Sequence, residues 1–139
     1  MTVGRLIYGV NMRAVDTNVL VRLVTGDDLK QASAAEKFVS AGAWVSHLVL
    51  AETIWVLATV YDRDPAALAQ TVDFLLKHRD LTIQDAEVVV EALAHYRNRP
   101  SLGFSDYLVL AIARKAGHVP MGTFDRTLAK LEGAERIAA

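Results

Sequence analysis

The feature that most constrains the fold is the change from strand to helix around Asp16. Ala14 and Val15 form a short apolar run of the kind found in a buried strand. After Asp16, the apolar residues from Val19 to Val24 follow the spacing of one helix face. Asp16 is therefore predicted to lie at the carboxyl edge of a sheet, which is where ligands bind in open α/β sheets.

Asp16 taken alone has a second interpretation, as a turn or capping residue with no chemical role. Thr17 and Asn18, which follow it, each offer a side-chain oxygen to the free N–H groups of the new helix. Only the other candidate residues of the chain can distinguish a ligand-binding role of Asp16 from a capping role.

Apolar spacing along the chain predicts the order β-α-α-β-α-α-β-α-α-β-α, with an added edge strand at residues 133–137. Such alternation favours a single α/β domain with a short central parallel β-sheet flanked by helices on both faces. We place this domain at residues 12–139 and interpret residues 1–11 as an N-terminal extension or as residues added in cloning. Strands are predicted at residues 14–15, 43–46, 81–83 and 119–123, and helices at 19–24, 31–40, 47–61, 65–78, 85–96, 106–115 and 125–131.

Composition excludes several classes of site. The chain of 139 residues has no cysteine, which rules out disulfides, thiolate metal sites and a cysteine nucleophile, and which suits a reducing cytoplasm. The net charge of -1 gives no overall positive potential that would indicate a nucleic-acid-binding protein. Setting four candidate site acids aside leaves 15 basic and 12 acidic residues, a balance of +3, so a polyanionic substrate remains compatible with the sequence.

Four acids occupy comparable places: Asp16, Glu52, Asp106 and Asp125 each follow a strand or lie near the start of a helix. If the strands are parallel, their carboxyl ends share one edge and the four side chains can meet there. Converging carboxylates repel one another unless a cation joins them. Mg²⁺ prefers oxygen ligands, and Mn²⁺ also suits such a site. An ion held there can activate water and neutralise charge at a phosphodiester.

Each of these acids also has a purely structural interpretation. Asp106 and Asp125 could assist the starts of their helices, although the macrodipole also favours an ionised carboxylate at Asp106. Glu52 lies in the helix predicted over residues 47–61, which is apolar nearly all round and is therefore expected to be buried on several sides. A buried carboxylate is costly unless it binds a metal or forms a salt bridge.

Four short motifs in this order resemble the PIN domain, and most closely the VapC-type toxins of toxin–antitoxin pairs. The resemblance extends from Met12 to about Ile137, almost the whole chain. Each motif is weak alone, and the set is specific. The motifs are Val15-Asp16-Thr17-Asn18-Val19-Leu20, Leu50-Ala51-Glu52-Thr53, Phe104-Ser105-Asp106-Tyr107-Leu108 and Gly122-Thr123-Phe124-Asp125.

The resemblance implies a Mg²⁺- or Mn²⁺-dependent endoribonuclease whose catalytic and metal-binding residues are Asp16, Glu52, Asp106 and Asp125. Asn18 and Thr123 match polar positions that support those acids through hydrogen bonds. Ser105 stands where the family often has alanine, a mild departure. The resemblance also implies an RNA substrate, a homodimer and a small cognate antitoxin protein that neutralises the enzyme.

Three other classes of protein share some of these features. A phosphatase of the haloacid-dehalogenase type needs a second acid two residues after the first, and position 18 is Asn, which cannot transfer that proton. A phosphate-accepting receiver domain needs a second acid beside Asp16, which the sequence lacks, and a lysine after a late strand, where this sequence has Thr123 and Asp125. A catalytically inactive PIN-like module that binds a partner protein keeps all four acids and would differ only in geometry.

Basic and aromatic residues are less informative. Several arginines and one lysine could flank the acidic edge and contact RNA phosphates, although most such surface residues are simply solvated. The large aromatic residues are expected to be core or dimer contacts rather than base-stacking platforms. The basic residues are Arg22, Arg97, Arg99, Arg114, Lys115 and Arg126, and the aromatic ones are Trp44, Trp55 and Tyr107.

Overall fold

Strands and helices alternate along the computed structural model, which describes residues 12–139. The prediction about residues 1–11 lies outside the described residues. Strands are β1 (Arg13–Ala14), β2 (Ala43–Val45), β3 (Leu81–Ile83), β4 (Met121–Thr123) and β5 (Ala134–Arg136). Helices are α1 (Thr17–Thr25), α2 (Leu29–Val39), α3 (His47–Thr59), α4 (Pro65–Lys77), α5 (Ala86–Asn98) and α6 (Phe104–Ala116), followed by a 3₁₀ helix (Leu128–Lys130).

All the strand pairs are parallel. In the three-stranded sheet, in the order β1-β2-β3, Ala14 lies opposite Trp44, which in turn lies opposite Thr82. The predicted α/β class with a short parallel sheet is confirmed. The arrangement of the late strands differs from the prediction, because within residues 12–139 β4 pairs with β5 in a separate parallel pair. Strand β1 has only two residues, and their ladder partners lie in β2.

The core lies between the three-stranded sheet and its helices. Alternate residues of β2 and β3 are buried, so one face of each strand packs inward. Helices α1, α3, α4 and α5 add fully buried side chains to it, including Leu20, Leu57, Val72, Leu75 and Val89. No helix between Met12 and Ala139 is both long and apolar enough to cross a membrane.

Several helix ends follow from local chemistry. Asp64 Oδ1 accepts a hydrogen bond from the Ala67 N–H at 2.8 Å, and Pro65 occupies the first position of α4, as predicted. Gly26 ends α1 in a left-handed conformation with φ of 62°. Helix α6 begins two residues before the predicted start at residue 106: Gly103 is the N-cap, and Phe104, whose ring is buried, belongs to the first turn.

The composition of α3 predicted a helix buried on several sides, but one face of the helix is exposed. Leu48 is 77% exposed and Trp55 is 63% exposed, and Glu52 lies between them on the same exposed stripe. Three- and four-residue spacings place these side chains on one face of the helix. The opposite face, which carries Leu50, Thr53 and Leu57, enters the core.

Helices α1 and α3 are joined beyond their carboxyl ends by a small polar cluster. The Tyr61 hydroxyl donates to Asp27 Oδ2 at 2.7 Å, and Arg22 Nη1 donates to Asp27 Oδ1 at 2.9 Å. Hydrogen bonds from Tyr61 and then Thr25, with the charge of Arg22, lower the pKa of Asp27 although burial opposes the shift. These contacts fix the end of one helix against the end of the other.

Candidate active site

Asp16 and Glu52 are connected through Thr17. Asp16 is the N-cap of α1, and its Oδ1 accepts a hydrogen bond from the Thr17 N–H at 2.7 Å. The Thr17 hydroxyl, on a residue that is 9% exposed, donates to Glu52 Oε1. Two carboxylates separated by a long stretch of sequence are thus brought to neighbouring positions beyond the carboxyl ends of β1 and β2.

The environment of Glu52 differs from the expectation of an apolar surrounding. The helix that carries it begins after β2, where Ser46 Oγ accepts the Val49 N–H at 3.1 Å. Glu52 itself is exposed, so its charge stays in contact with water and carries no large desolvation cost. Among residues 12–139 it forms no salt bridge.

Asp106 lies in the first turn of α6 and is half-buried. Its Oδ2 accepts the Gly103 N–H at 3.2 Å, so it assists the start of its helix. The next residue, Tyr107, is buried, and burial raises the pKa of its hydroxyl, which donates to the carbonyl of Arg99. Tyr107 is therefore a neutral structural neighbour, and the predicted core position is confirmed.

Asp125 follows β4. Its Oδ1 accepts the Leu128 N–H at 2.8 Å and so begins the 3₁₀ helix, while its own N–H donates to Thr123 Oγ1 at 3.0 Å. Thr123 thus contacts the residue that it was predicted to support, through the backbone of that residue. Asn18, the other predicted supporting residue, is exposed, and its side chain makes no hydrogen bond within the described part of the chain.

The four carboxylates share one pattern of contacts. Each has one oxygen held by a backbone N–H or by the Thr17 hydroxyl, and within residues 12–139 each leaves its second oxygen without a hydrogen bond or an ion pair. Free carboxylate oxygens are the donors that Mg²⁺ and Mn²⁺ prefer, and Mg²⁺ commonly uses one or two protein carboxylates together with substrate phosphate. The chemistry of these donors fits such an ion.

The four acids are not gathered into one ready-made cluster. No three acidic or histidine side chains from Met12 to Ala139 lie close enough to hold a metal ion together. Asp16 and Glu52 are the linked pair, whereas Asp125 belongs to the separate β4–β5 unit. The assignment of all four acids as metal ligands and catalytic residues stays a prediction.

The contact between Thr17 and Glu52 was not predicted from the sequence, because the pattern indicated Thr17 only as a possible helix cap. Its partner lies 35 residues away, and no local spacing reports such a contact. The only signal was a small hydroxyl residue directly after a candidate acid.

Comparison with known families gives a match over most of the chain. The model of the PIN domain family matches residues 13–134, which is most of the chain. A comparison with curated proteins found none that matches.

Proposed function

Because the chain belongs to the PIN domain family, whose fold is of the nuclease type, we propose that it is a metal-dependent endoribonuclease that hydrolyses RNA phosphodiester bonds. The observation that carries this proposal is the Thr17 hydrogen bond, which places the carboxylate of Glu52 beside the Asp16 cap. Two carboxylates held at one sheet edge, each with a free oxygen, are suited to a hard divalent cation.

Asp16 and Glu52 are the residues that would hold Mg²⁺ or Mn²⁺, with Asp106 and Asp125 as further oxygen donors. A bound ion supplies an activated water and neutralises charge at the scissile phosphate. The chain contributes positioning: the Thr17 N–H and hydroxyl each hold one carboxylate oxygen, of Asp16 and of Glu52 respectively, which restricts where the second oxygen of each can lie. The Gly103 N–H does the same for Asp106.

We further propose that this activity is that of a cytoplasmic toxin, a homodimer neutralised by a small antitoxin protein. Acids that have no cationic partner in the described part of the chain are suited to an arginine from another protein, which would form a charge-assisted bidentate contact. Exposed apolar side chains such as Val109 on α6, which is 54% exposed, and Phe124, which is 66% exposed, offer surface that a second protomer could bury.

The second candidate function is a non-catalytic PIN module that binds a partner protein. It is favoured by the lack of any group of three metal-binding side chains within residues 12–139. Metal binding separates the candidates, because a ligand that binds only the folded state raises the melting temperature. A nuclease should be stabilised by Mn²⁺, and a binding module should not.

The decisive experiment incubates the protein with a mixed cellular RNA pool and Mg²⁺ or Mn²⁺, and maps the new RNA ends. We expect cleavage that stops with chelator and is absent from Asp16→Asn. Cleavage that resists the chelator and survives in every acidic variant would refute the proposal.

A further inference from the structure

A groove opens beside the candidate active site. It has a volume of about 350 Å³ and lies between α3, the start of α4 and the loop of residues 99–103 that leads into α6. Its walls include Trp55, Arg63, Tyr96 and Phe104, and among its lining residues there is no acidic side chain. The groove is therefore largely aromatic and apolar, with one cationic group.

Two of the candidate site acids are next in the chain to residues that line the groove. Ala51 lines it and directly precedes Glu52, and Ser105 lines it and directly precedes Asp106. The Gly103 N–H that holds Asp106 belongs to the same wall. A polymer that binds at these two carboxylates would therefore pass close to the groove.

Trp55 is the unusual member of the lining. Its side chain is 63% exposed, although indole is among the side chains with most to gain from burial. Within residues 12–139 the indole of Trp55 makes no ring–ring contact and no hydrogen bond. Tyr96 and Phe104, by contrast, pack edge to face with 5.9 Å between their ring centroids. One face of the groove thus carries a flat aromatic surface with no ring partner among these residues. Of the two roles predicted for Trp55, the core contact is wrong, and the dimer contact stays a prediction.

The lining of the groove itself carries one charged side chain, and its charge is positive. Arg63 lines it, and Arg97 and Arg99 lie at the end of α5 and in the following loop. None of the three forms a salt bridge within the described residues, although Asp62 and Asp64 flank Arg63 in the chain. Aromatic surface next to unpaired arginines is the combination that binds single-stranded nucleic acid.

We propose that the groove is a subsite for one nucleobase of single-stranded RNA, stacked on Trp55, with Arg63 contacting the adjoining phosphate. This inference rests on the proposed ribonuclease function and specifies the form of the substrate. A base has to leave its helical stack to enter the groove, so unpaired loops and single strands are bound and intact duplexes are not. Because every base has a π-face, the subsite selects strand form rather than sequence.

Binding is tested without turnover, in metal-free protein carrying Asp16→Asn, with a labelled single-stranded oligoribonucleotide of about ten nucleotides. We expect Trp55→Leu to raise the dissociation constant about 5- to 150-fold, the effect of losing one stacked base, and Trp55→Phe to restore most of the affinity. In a Trp44→Phe background Trp55 is the only tryptophan, and the oligonucleotide should quench its fluorescence.

Leu48→Ala is the matched control, because Leu48 is an exposed apolar residue on the same helix face outside the groove lining. It should bind RNA like the parent protein. An oligonucleotide of equal length without bases should quench weakly. Unchanged RNA affinity in Trp55→Leu, equal weakening in Leu48→Ala, or no RNA binding at all overturns the inference. Dissociation of an oligomer by Trp55→Leu with RNA affinity intact also overturns it, and assigns Trp55 to a protein contact.

The same oligonucleotide separates this inference from the proposed function. If wild-type protein with Mn²⁺ cleaves it and Trp55→Leu binds and cleaves equally well, only the base subsite is wrong. If binding depends on Trp55 but no metal condition produces cleavage, the subsite stands and the nuclease proposal fails.

Discussion

Replacing Thr17 by valine tests whether the Thr17–Glu52 hydrogen bond matters for activity rather than for folding. Valine has nearly the shape of threonine, so the substitution removes the hydroxyl from a side chain that is 9% exposed without opening a cavity. The acceptor, Glu52, is exposed, and water can replace the lost donor. We therefore expect a loss of about 1 kcal/mol in the free energy of unfolding, the net value of an ordinary hydrogen bond. This corresponds to about 4 °C in melting temperature for a domain of this size.

The expected effect on cleavage is larger than the effect on stability. Without the hydroxyl, the carboxylate of Glu52 is no longer fixed relative to Asp16. Loss of a group that orients a metal ligand commonly costs about 10- to 100-fold in metal affinity or activity. The assay is RNA cleavage at limiting Mn²⁺, with Mn²⁺ affinity measured by calorimetry, and Thr17→Ser should restore both.

Thr53→Val is the matched control. Thr53 is fully buried on the same helix as Glu52, and its hydroxyl donates to the carbonyl of Val49 at 2.7 Å. The change removes a buried hydroxyl but leaves Glu52 untouched, so stability should fall slightly and cleavage should remain. If both variants lose cleavage equally, or if Thr17→Val cleaves at the wild-type rate, the positioning role is refuted.

Three further predictions follow from the same structure. Asp16→Asn and Asp106→Asn should abolish RNA cleavage while the metal-free melting temperature stays near the wild-type value, because asparagine can accept the same backbone hydrogen bonds; a marked loss of stability in both would favour purely structural roles. Glu52→Gln should weaken calorimetric Mn²⁺ binding and stop cleavage in a folded protein, and unchanged values would place it outside the site. Because the pKa of Asp27 is lowered from 3.8, chiefly by the Tyr61 hydrogen bond, its contribution to stability is present above that pH and is lost as the pH falls through the lower folded value. Asp27→Asn should therefore flatten the acid side of the melting-temperature profile, and an unchanged profile would contradict this reasoning.

Sequence reasoning succeeded where the controlling chemistry is local. Asp64 and Pro65 start α4 because a capping carboxylate and a residue without an N–H suit the first turn, and both are visible in the sequence. Gly26 and Gly117 end α1 and α6 in left-handed conformations for an equally local reason. Alternation of strands and helices was likewise sufficient to predict the α/β class.

Predictions failed where distant parts of the chain decide. Helix α3 is apolar on nearly every side, so its composition did not reveal that Leu48 and Trp55 face outward. The start of α6 was predicted two residues too late, at residue 106, because the burial of Phe104 in the first turn depends on packing. The pairing of β4 with β5, rather than with the first sheet, depends on contacts between the late strands that no apolar pattern specifies.

The Arg22–Asp27–Tyr61 cluster has a consequence for how this molecule opens. Helices α1 and α3 are joined beyond their carboxyl ends by this cluster, and the Thr17–Glu52 hydrogen bond joins the start of α1 to the middle of α3. A pair of helices joined at two separate points should open as one cooperative unit, so their amides should share a common free energy in hydrogen exchange. The spacing between Asp16 and Glu52 is then protected by the stability of the whole pair, and local fraying of one helix leaves it unchanged.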